Sequence, residues 1–197
     1  GFPLPRRVAQ RNTRALFDLC AGFVYAQVLT SCIRLDLFAI LAEGPLTVDA
    51  LARRLDLPPD AARRLLRAAE SLGLLRALSG DRFGLADLGA ALVGNPGIAA
   101  MIEHHALLYA DLADPVALLR GQAQPTRLAG YWPYAAGAAG DAHAVAPYSS
   151  LMGASQALIA DDVLDACDLS RVRHLMDVGG GEGAFLRAVA ARHATPR

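Results

Sequence analysis

Charge of either sign is not in excess: 19 basic residues stand against 19 acidic ones, and the formal net charge is zero. A chain so balanced has no global field to draw it onto nucleic acid or an anionic surface, so such a contact would have to come from a local patch. Cysteine is sparse. Cys20, Cys32 and Cys167 are odd in number and lack the CxxC or Cys/His spacing of zinc sites, which argues against a disulfide framework or a structural metal and for buried, inert thiols in a cytoplasmic protein. An apolar run of bilayer length is also missing. The longest uncharged stretch of the N-terminal third, LCAGFVYAQVLTSCI, holds 15 residues between Asp18 and Arg34, short of the roughly 18–20 that a span requires, so it reads as a core helix. The opening GFPLPRR has no signal-peptide core and no initiator Met, so the chain reads as a fragment. No repeat of fixed period appears.

What is present is mostly helical grammar. At 54% hydrophobic over 197 residues the chain can bury one respectable core, or one small domain and part of another. From Thr13 to about Leu41 apolar residues recur at helical spacing, first Leu16, Leu19, Cys20 and Phe23, then Leu35, Phe38, Ile40 and Leu41. GPLTVDALARRLDL predicts a turn, an N-cap at Thr47 and a short helix with Leu51, Ala52 and Leu55 inward. PPDAARRLLRAAESLGLL repeats the pattern, with Pro59 and Asp60 at a helix start and Gly73 at its end. The LLRAL, SGD, RFGLADLG succession that follows has the turn chemistry of a small hairpin. Three helices and a hairpin are the winged-helix order. Residues 96 to about 121 are again helical, 137–147 read as a loop, and YSSLMGASQALIADDVLDAC restores a helix.

The stretch HLMDVGGGEGAFLRAVAARH reads as a strand, a glycine-rich turn and a helix, the opening unit of an α/β domain. Gly179, Gly181 and Gly183 form G-x-G-x-G, and Gly179, Gly181 and Ala184 also satisfy the looser G-x-G-x-x-A of a dinucleotide loop. Both readings use glycine to turn sharply and let a ligand approach a helix N-terminus. Asp177 separates them. A carboxylate two residues before the first glycine repels a pyrophosphate but attracts an ammonium group, which favours S-adenosyl-L-methionine over a nicotinamide cofactor. A bland reading, in which Asp177 caps a turn and the glycines close a tight connection, stays beside it.

LMDVGGGEGAFL resembles the first motif of the S-adenosylmethionine-dependent O-methyltransferases acting on small molecules. VLTSCIRLDLFAILAEGPLTVDALARRLDLPPDAARRLLRAAESLGLL is similar to the N-terminal dimerisation domain of the same family. NPGIAAMIEHHALLYADLADPVALLRG and VAPYSSLMGASQALIADDVLDA resemble, within it, the hydroxycarotenoid (demethylspheroidene-type) O-methyltransferases of purple photosynthetic bacteria. The resemblance implies a mostly α chain: an N-terminal winged-helix dimerisation domain over 1–95, a helical linker lining a substrate pocket over 96–169, and over 170–197 the first strand-helix unit of an incomplete Rossmann-like α/β methyltransferase domain. It implies a homodimer, a small apolar hydroxylated substrate reached through peripheral membrane association, and S-adenosyl-L-methionine held by Asp177, Gly179, Gly180, Gly181 and Gly183. Glu182 departs from the small hydroxyl residue often found there and receives no contact. Tyr148 and Met152 match a family segment of the form aromatic-x-x-x-Met that lines the cavity near the transferred methyl, although Ser149 stands where Asn is usual. His105 and Trp132 are further candidates for the pocket; for all four, ordinary packing competes.

Methyl transfer from a sulfonium is an in-line displacement that needs the acceptor oxygen about 3 Å from the methyl carbon and a base for its proton. The family's His base has no match here, and the chain ends 14 residues after Gly183, before the acidic residue expected about 20 residues on to hold the ribose. The isolated chain is therefore expected to be inactive. A rival of another class is a winged-helix DNA-binding regulator, for which the clustered Arg63, Arg64 and Arg67 speak; the charge balance speaks against it, and the expectation is no nucleic acid.

Overall fold

The computed structural model describes residues 6–123, 125–131, 151–153, 156, 159–169 and 171–193. The loop expected at 137–147, and with it Trp132, Tyr148 and Ser149, lies outside the described residues. The chain divides into two compact units, Gly1–Gly94 and Asn95–Arg197.

The first unit is helical, with a small sheet. Helix α1 (Arg6–Arg34) is 29 residues long and breaks at Leu35–Asp36, where Asp36 takes a left-handed φ of 53° and hands the chain to α2 (Leu37–Ala42). Thr47 caps α3 (Val48–Arg54) as expected, its hydroxyl accepting from the Ala50 N–H at 3.3 Å. Pro59 opens α4 (Pro59–Ser71) and Gly73, at φ 71°, follows its end. The hairpin is present as β2 (Leu75–Leu78) and β3 (Arg82–Leu85), antiparallel with Leu75 opposite Leu85 and Leu78 opposite Arg82. A strand that periodicity did not mark, β1 (Leu46–Thr47), pairs with the other edge of β3, so the sheet order is β1-β3-β2. Helix, short strand, two helices and hairpin together make the winged-helix arrangement.

Its core is one cluster. Phe83, Leu37, Leu51, Leu66, Val48 and Cys32 are fully buried, and Ala62, Leu66 and Ala69 form the inward stripe of α4. Leu51, Ala52 and Leu55 face inward from α3, as their spacing predicts. Short α5 (Asp87–Ala90) lies against the start of the hairpin, where the Ala86 N–H donates to the Leu74 carbonyl at 3.1 Å.

Two expectations fail in this unit. LCAGFVYAQVLTSCI is not a core helix along its length: Cys32 and its neighbours Val28, Leu29 and Ile33 join the core, while Leu19, Phe23 and Val24 are exposed. The helix simply outruns the surface it packs on. For the same reason Cys20 is exposed while Cys32 is buried, and Cys167, in the second unit, is exposed as well, so the three thiols are not all buried.

The second unit carries α6 (Pro96–Asp111), α7 (Pro115–Leu119) and α8 (Arg127–Tyr131). Asp114 caps α7, accepting from the Ala117 N–H at 2.9 Å, and Asp111 holds α8 by accepting from the N–H groups of Arg127 and Leu128, both at 2.8 Å. Residues 151–153 and 159–166 are helical, with Leu151, Ala160 and Leu164 buried. Helix α9 (Ala184–His193) follows the glycine loop. The strand expected just before that loop does not form. Residues 172–178 take no strand pairing, and Met176 and Val178 are exposed, because a strand exists only through a ladder with a neighbour and the described residues of this unit offer none.

Candidate functional site

The glycine loop explains its own sequence. Gly179, Gly181 and Gly183 all adopt left-handed φ values, of 79°, 54° and 73°, a conformation that costs an L side chain roughly 1–2 kcal/mol per residue. That is why the motif alternates, and the intervening Gly180 is required for another reason. A β-carbon on Gly180 would lie 2.3 Å from Asp177 Oδ2 and 2.9 Å from Oδ1, so the Asp177 carboxylate rests directly on the Gly180 backbone. The Gly183 N–H closes the turn on the Gly180 carbonyl at 2.8 Å, and the Arg187 N–H joins α9 to the Gly183 carbonyl at 3.0 Å. The Arg187 guanidinium also donates to the Glu182 carbonyl.

Within this loop, Asp177 Oδ2 is buried and accepts no hydrogen bond among the described residues. A buried carboxylate oxygen without a donor costs free energy unless a ligand supplies one. Gly179, Gly181 and Gly183 leave open backbone where side chains would otherwise stand, and the loop ends at a helix N-terminus with its free N–H groups. A ligand carrying an ammonium group meets the unpaired acceptor; one carrying a phosphate does not. The residues present therefore fit the amino-acid end of S-adenosyl-L-methionine better than a dinucleotide.

Of the expected pocket residues, Met152 is half-buried in the helical turn at 151–153, and that turn neighbours the loop: a β-carbon on Gly153 would sit 3.7 Å from Glu182 Oε2. Tyr148 and Trp132 lie outside the described residues. His105 is exposed on α6. It is His104 that turns inward, its ring 4.6 Å from that of Tyr131 and tilted 48°; burial pushes the Tyr131 hydroxyl pKa above its ordinary value. Sequence reasoning named His105 and passed over His104, yet the signal for the inward contact of His104 was present. Met101, His104, Leu108 and Asp111 share the half-buried face of α6 at helical spacing, and His105 falls outside it with Glu103, Ala106 and Tyr109.

The arginines that spoke for DNA are largely engaged. Arg63 donates to both carboxylate oxygens of Asp81 at the hairpin tip, at 3.0 and 3.1 Å. Arg67 pairs with Glu70 at 2.9 Å and stacks over the Phe83 ring at 5.3 Å. Among the described residues no group of His, Cys, Asp and Glu is placed to hold a metal ion.

Known proteins resemble this chain. The family model described as an O-methyltransferase dimerisation domain matches residues 17–95, and the one described as an O-methyltransferase domain matches residues 109–196. Demethylspheroidene O-methyltransferase of Cereibacter sphaeroides is 49% identical over 189 residues, which are 95% of this chain and 50% of that protein. Its namesake in Rhodobacter capsulatus is 46% identical over 191 residues, 96% of this chain and 48% of that one. Among solved structures, the N,N-8-amino-8-demethyl-D-riboflavin dimethyltransferase of Streptomyces davawensis superposes with a TM-score of 0.61 at 30% identity, over 93% of this chain and 56% of that one. Human N-acetylserotonin methyltransferase in complex with SAM does so with a TM-score of 0.69 at 23% identity, over 98% of this chain and 58% of that one, a likeness of fold. The chain thus spans about half the length of the curated relatives it matches.

Proposed function

Because the chain belongs to the O-methyltransferase family that joins a dimerisation domain to a methyltransferase domain, we propose that it supplies the subunit-pairing domain and the first part of the cofactor site of an S-adenosylmethionine-dependent O-methyltransferase. The substrate is a hydroxyl of a small apolar molecule, a hydroxycarotenoid of the demethylspheroidene type, in line with the names of the two bacterial relatives above. The enzyme works as a homodimer in the cytoplasm. It associates peripherally with the membrane in which so apolar a substrate dissolves. The dimerisation match supports the first of these, and the three free thiols fit the second.

The observation that carries the reading is the unpaired, buried Asp177 Oδ2 beside a loop whose alternate glycines are left-handed. When bound, the cofactor supplies an electrophilic methyl group on a sulfonium. Asp177 binds and orients the ammonium end, and Gly179, Gly180, Gly181 and Gly183 let the backbone come close. Tyr148, Met152, His105 and Trp132 stand as pocket residues in this proposal. His104, stacked on Tyr131, joins them as the inward histidine of α6. No residue of this chain is assigned as the base.

Ultraviolet crosslinking of radiolabelled S-adenosylmethionine to the purified chain tests the site. Labelling in the fragment around residues 174–193, competed by S-adenosylhomocysteine and not by NAD, is the expected result. Gly180→Ala, which drives the Asp177 carboxylate off the loop, should abolish it. Competition by NAD instead would restore the dinucleotide reading. Transfer of a labelled methyl to a demethylspheroidene-type alcohol, with protein expressed from the complete reading frame, tests the substrate class.

A further inference from the structure

We infer that Asp111 is a positioning residue: it latches the short α8 onto α6 and so sets Tyr131 against His104 as one wall of the acceptor pocket proposed above. The role in the pocket rests on the methyl-transfer reading; the latch stands on geometry alone. Asp111 Oδ1 accepts from the Arg127 N–H and Oδ2 from the Leu128 N–H, both at 2.8 Å, across 16 and 17 residues of sequence. These are the first two N–H groups of α8, which a helix cannot satisfy from within. The third, that of Ala129, donates to the Thr126 hydroxyl at 3.1 Å. Thr126 therefore caps α8 locally, whereas Asp111 ties it to another element.

Three observations give that tie its weight. Helix α8 has five residues and none of them is buried, whereas an isolated helix needs roughly 12–15 residues to be even marginal in water. Asp111 is also the last residue of α6, at the negative end of that helix's dipole, where a carboxylate is disfavoured. Its own helix gives no reason for an acid there; the positive N-terminal end of α8 does. Finally, His104 lies seven residues before Asp111, two turns back on the same half-buried face of α6, and Tyr131 lies three residues after Leu128. The two helices thus run antiparallel, with charge-assisted hydrogen bonds at one end and the His104–Tyr131 ring contact, 4.6 Å between centroids, at the other.

Neither His104 nor Tyr131 is fully buried, so each ring keeps surface to offer a ligand. Flat, polarisable rings suit a conjugated, apolar acceptor. Holding them at a fixed mutual tilt of 48° shapes that surface before the acceptor arrives, which lowers the ordering cost of binding. Without Asp111, α8 has no tie to α6 at its N-terminus, and the wall must be ordered by the acceptor itself.

Proton NMR of the 197-residue chain reads the latch without cofactor or acceptor. The Cε1 proton of His104, assigned by His104→Gln, should carry a ring-current displacement that Tyr131→Leu removes. Asp111→Ala should remove it too. Asp111→Asn, which keeps one acceptor oxygen, should retain part of it, and Thr126→Ala should leave it in place, far-UV circular dichroism checking that each variant stays folded. In protein expressed from the complete reading frame, Asp111→Ala should raise KM for a demethylspheroidene-type alcohol roughly tenfold, the order expected for losing an aromatic contact, with kcat nearly retained. Tyr131→Leu should do the same, and the double variant should be little worse than either, since both undo one wall. A displacement that survives Asp111→Ala, or is lost equally in Thr126→Ala, overturns the latch. A fall in kcat at unchanged KM, or two effects that add in full, overturns the role in the pocket. Should the parent enzyme turn over no such alcohol, the methyl-transfer reading fails while the NMR still decides the latch.

Discussion

Replacing Gly89 by alanine should open the first unit. Gly89 is buried in α5, and a β-carbon there would lie 2.1 Å from the Leu74 carbonyl oxygen, 3.2 Å from its carbon and 3.4 Å from Phe38 Cδ1. The oxygen is backbone and cannot swing aside. It accepts from the Ala86 N–H, while the Leu74 N–H donates to the Ala69 carbonyl at 3.0 Å, so Leu74 is held from both sides. Relief therefore requires α5 to move outward, which breaks the Ala86–Leu74 bond and loosens Phe38. Overpacking of a tight core costs about 1–3 kcal/mol and the lost hydrogen bond about 1 kcal/mol, so a destabilisation of about 3 kcal/mol is expected. Labelling of Cys32, fully buried in this core, reports the opening in a chain carrying Cys20→Ser and Cys167→Ser. At tenfold per ~1.4 kcal/mol, Gly89→Ala should speed that labelling by roughly 150-fold. Gly22→Ala serves as the control. Gly22 lies mid-helix with nothing within 4 Å of a β-carbon, and the change should stabilise by about 0.5–1 kcal/mol. A Gly89→Ala chain whose Cys32 reacts at the parent's rate would refute the claimed contact between α5 and the Leu74 carbonyl.

Two further outcomes are expected. Under native conditions a thiol reagent should titrate two of the three cysteines, Cys20 and Cys167 being exposed, and reach Cys32 only on unfolding, since burial pushes that thiol up to about 12; three fast equivalents would contradict the burial. The Arg54 guanidinium, donating to Glu43 at 2.7 and 3.2 Å, holds the Glu43 carboxyl below the ordinary carboxylate value. A lowered folded-state pKa means that this pair's small stabilisation is present above the ordinary carboxylate range and is lost as pH falls through Glu43's own titration. Arg54→Ala should move that midpoint up, as read by carboxyl NMR, and an unmoved midpoint would show that the pair is not formed in solution.

The local grammar was legible without coordinates wherever one residue type serves one backbone need. Thr47 as a cap, Pro59 at a helix start, Gly73 after a helix end and the alternate glycines of 179–183 all belong to that class, because each answers to φ or to a single nearby N–H. Asp177, too, was marked by its charge and its place before the loop. Relationships between elements were less accessible. Strand β1 is two residues long and exists only because β3 offers it an edge, and His104 rather than His105 faces inward because of where Tyr131 stands.

By itself, then, the sequence determined the order of helices, turns and hairpin and the backbone form of the glycine loop, since periodicity, caps and left-handed glycines act over a few residues. Only the tertiary structure decided which apolar residues find cover. Cys32 is sealed and Cys20, twelve positions earlier on the same helix, is exposed, because α1 continues past the core it packs on. HLMDVG is apolar enough for a strand yet takes no strand form, because a ladder requires a neighbour and no pattern within a segment can supply one.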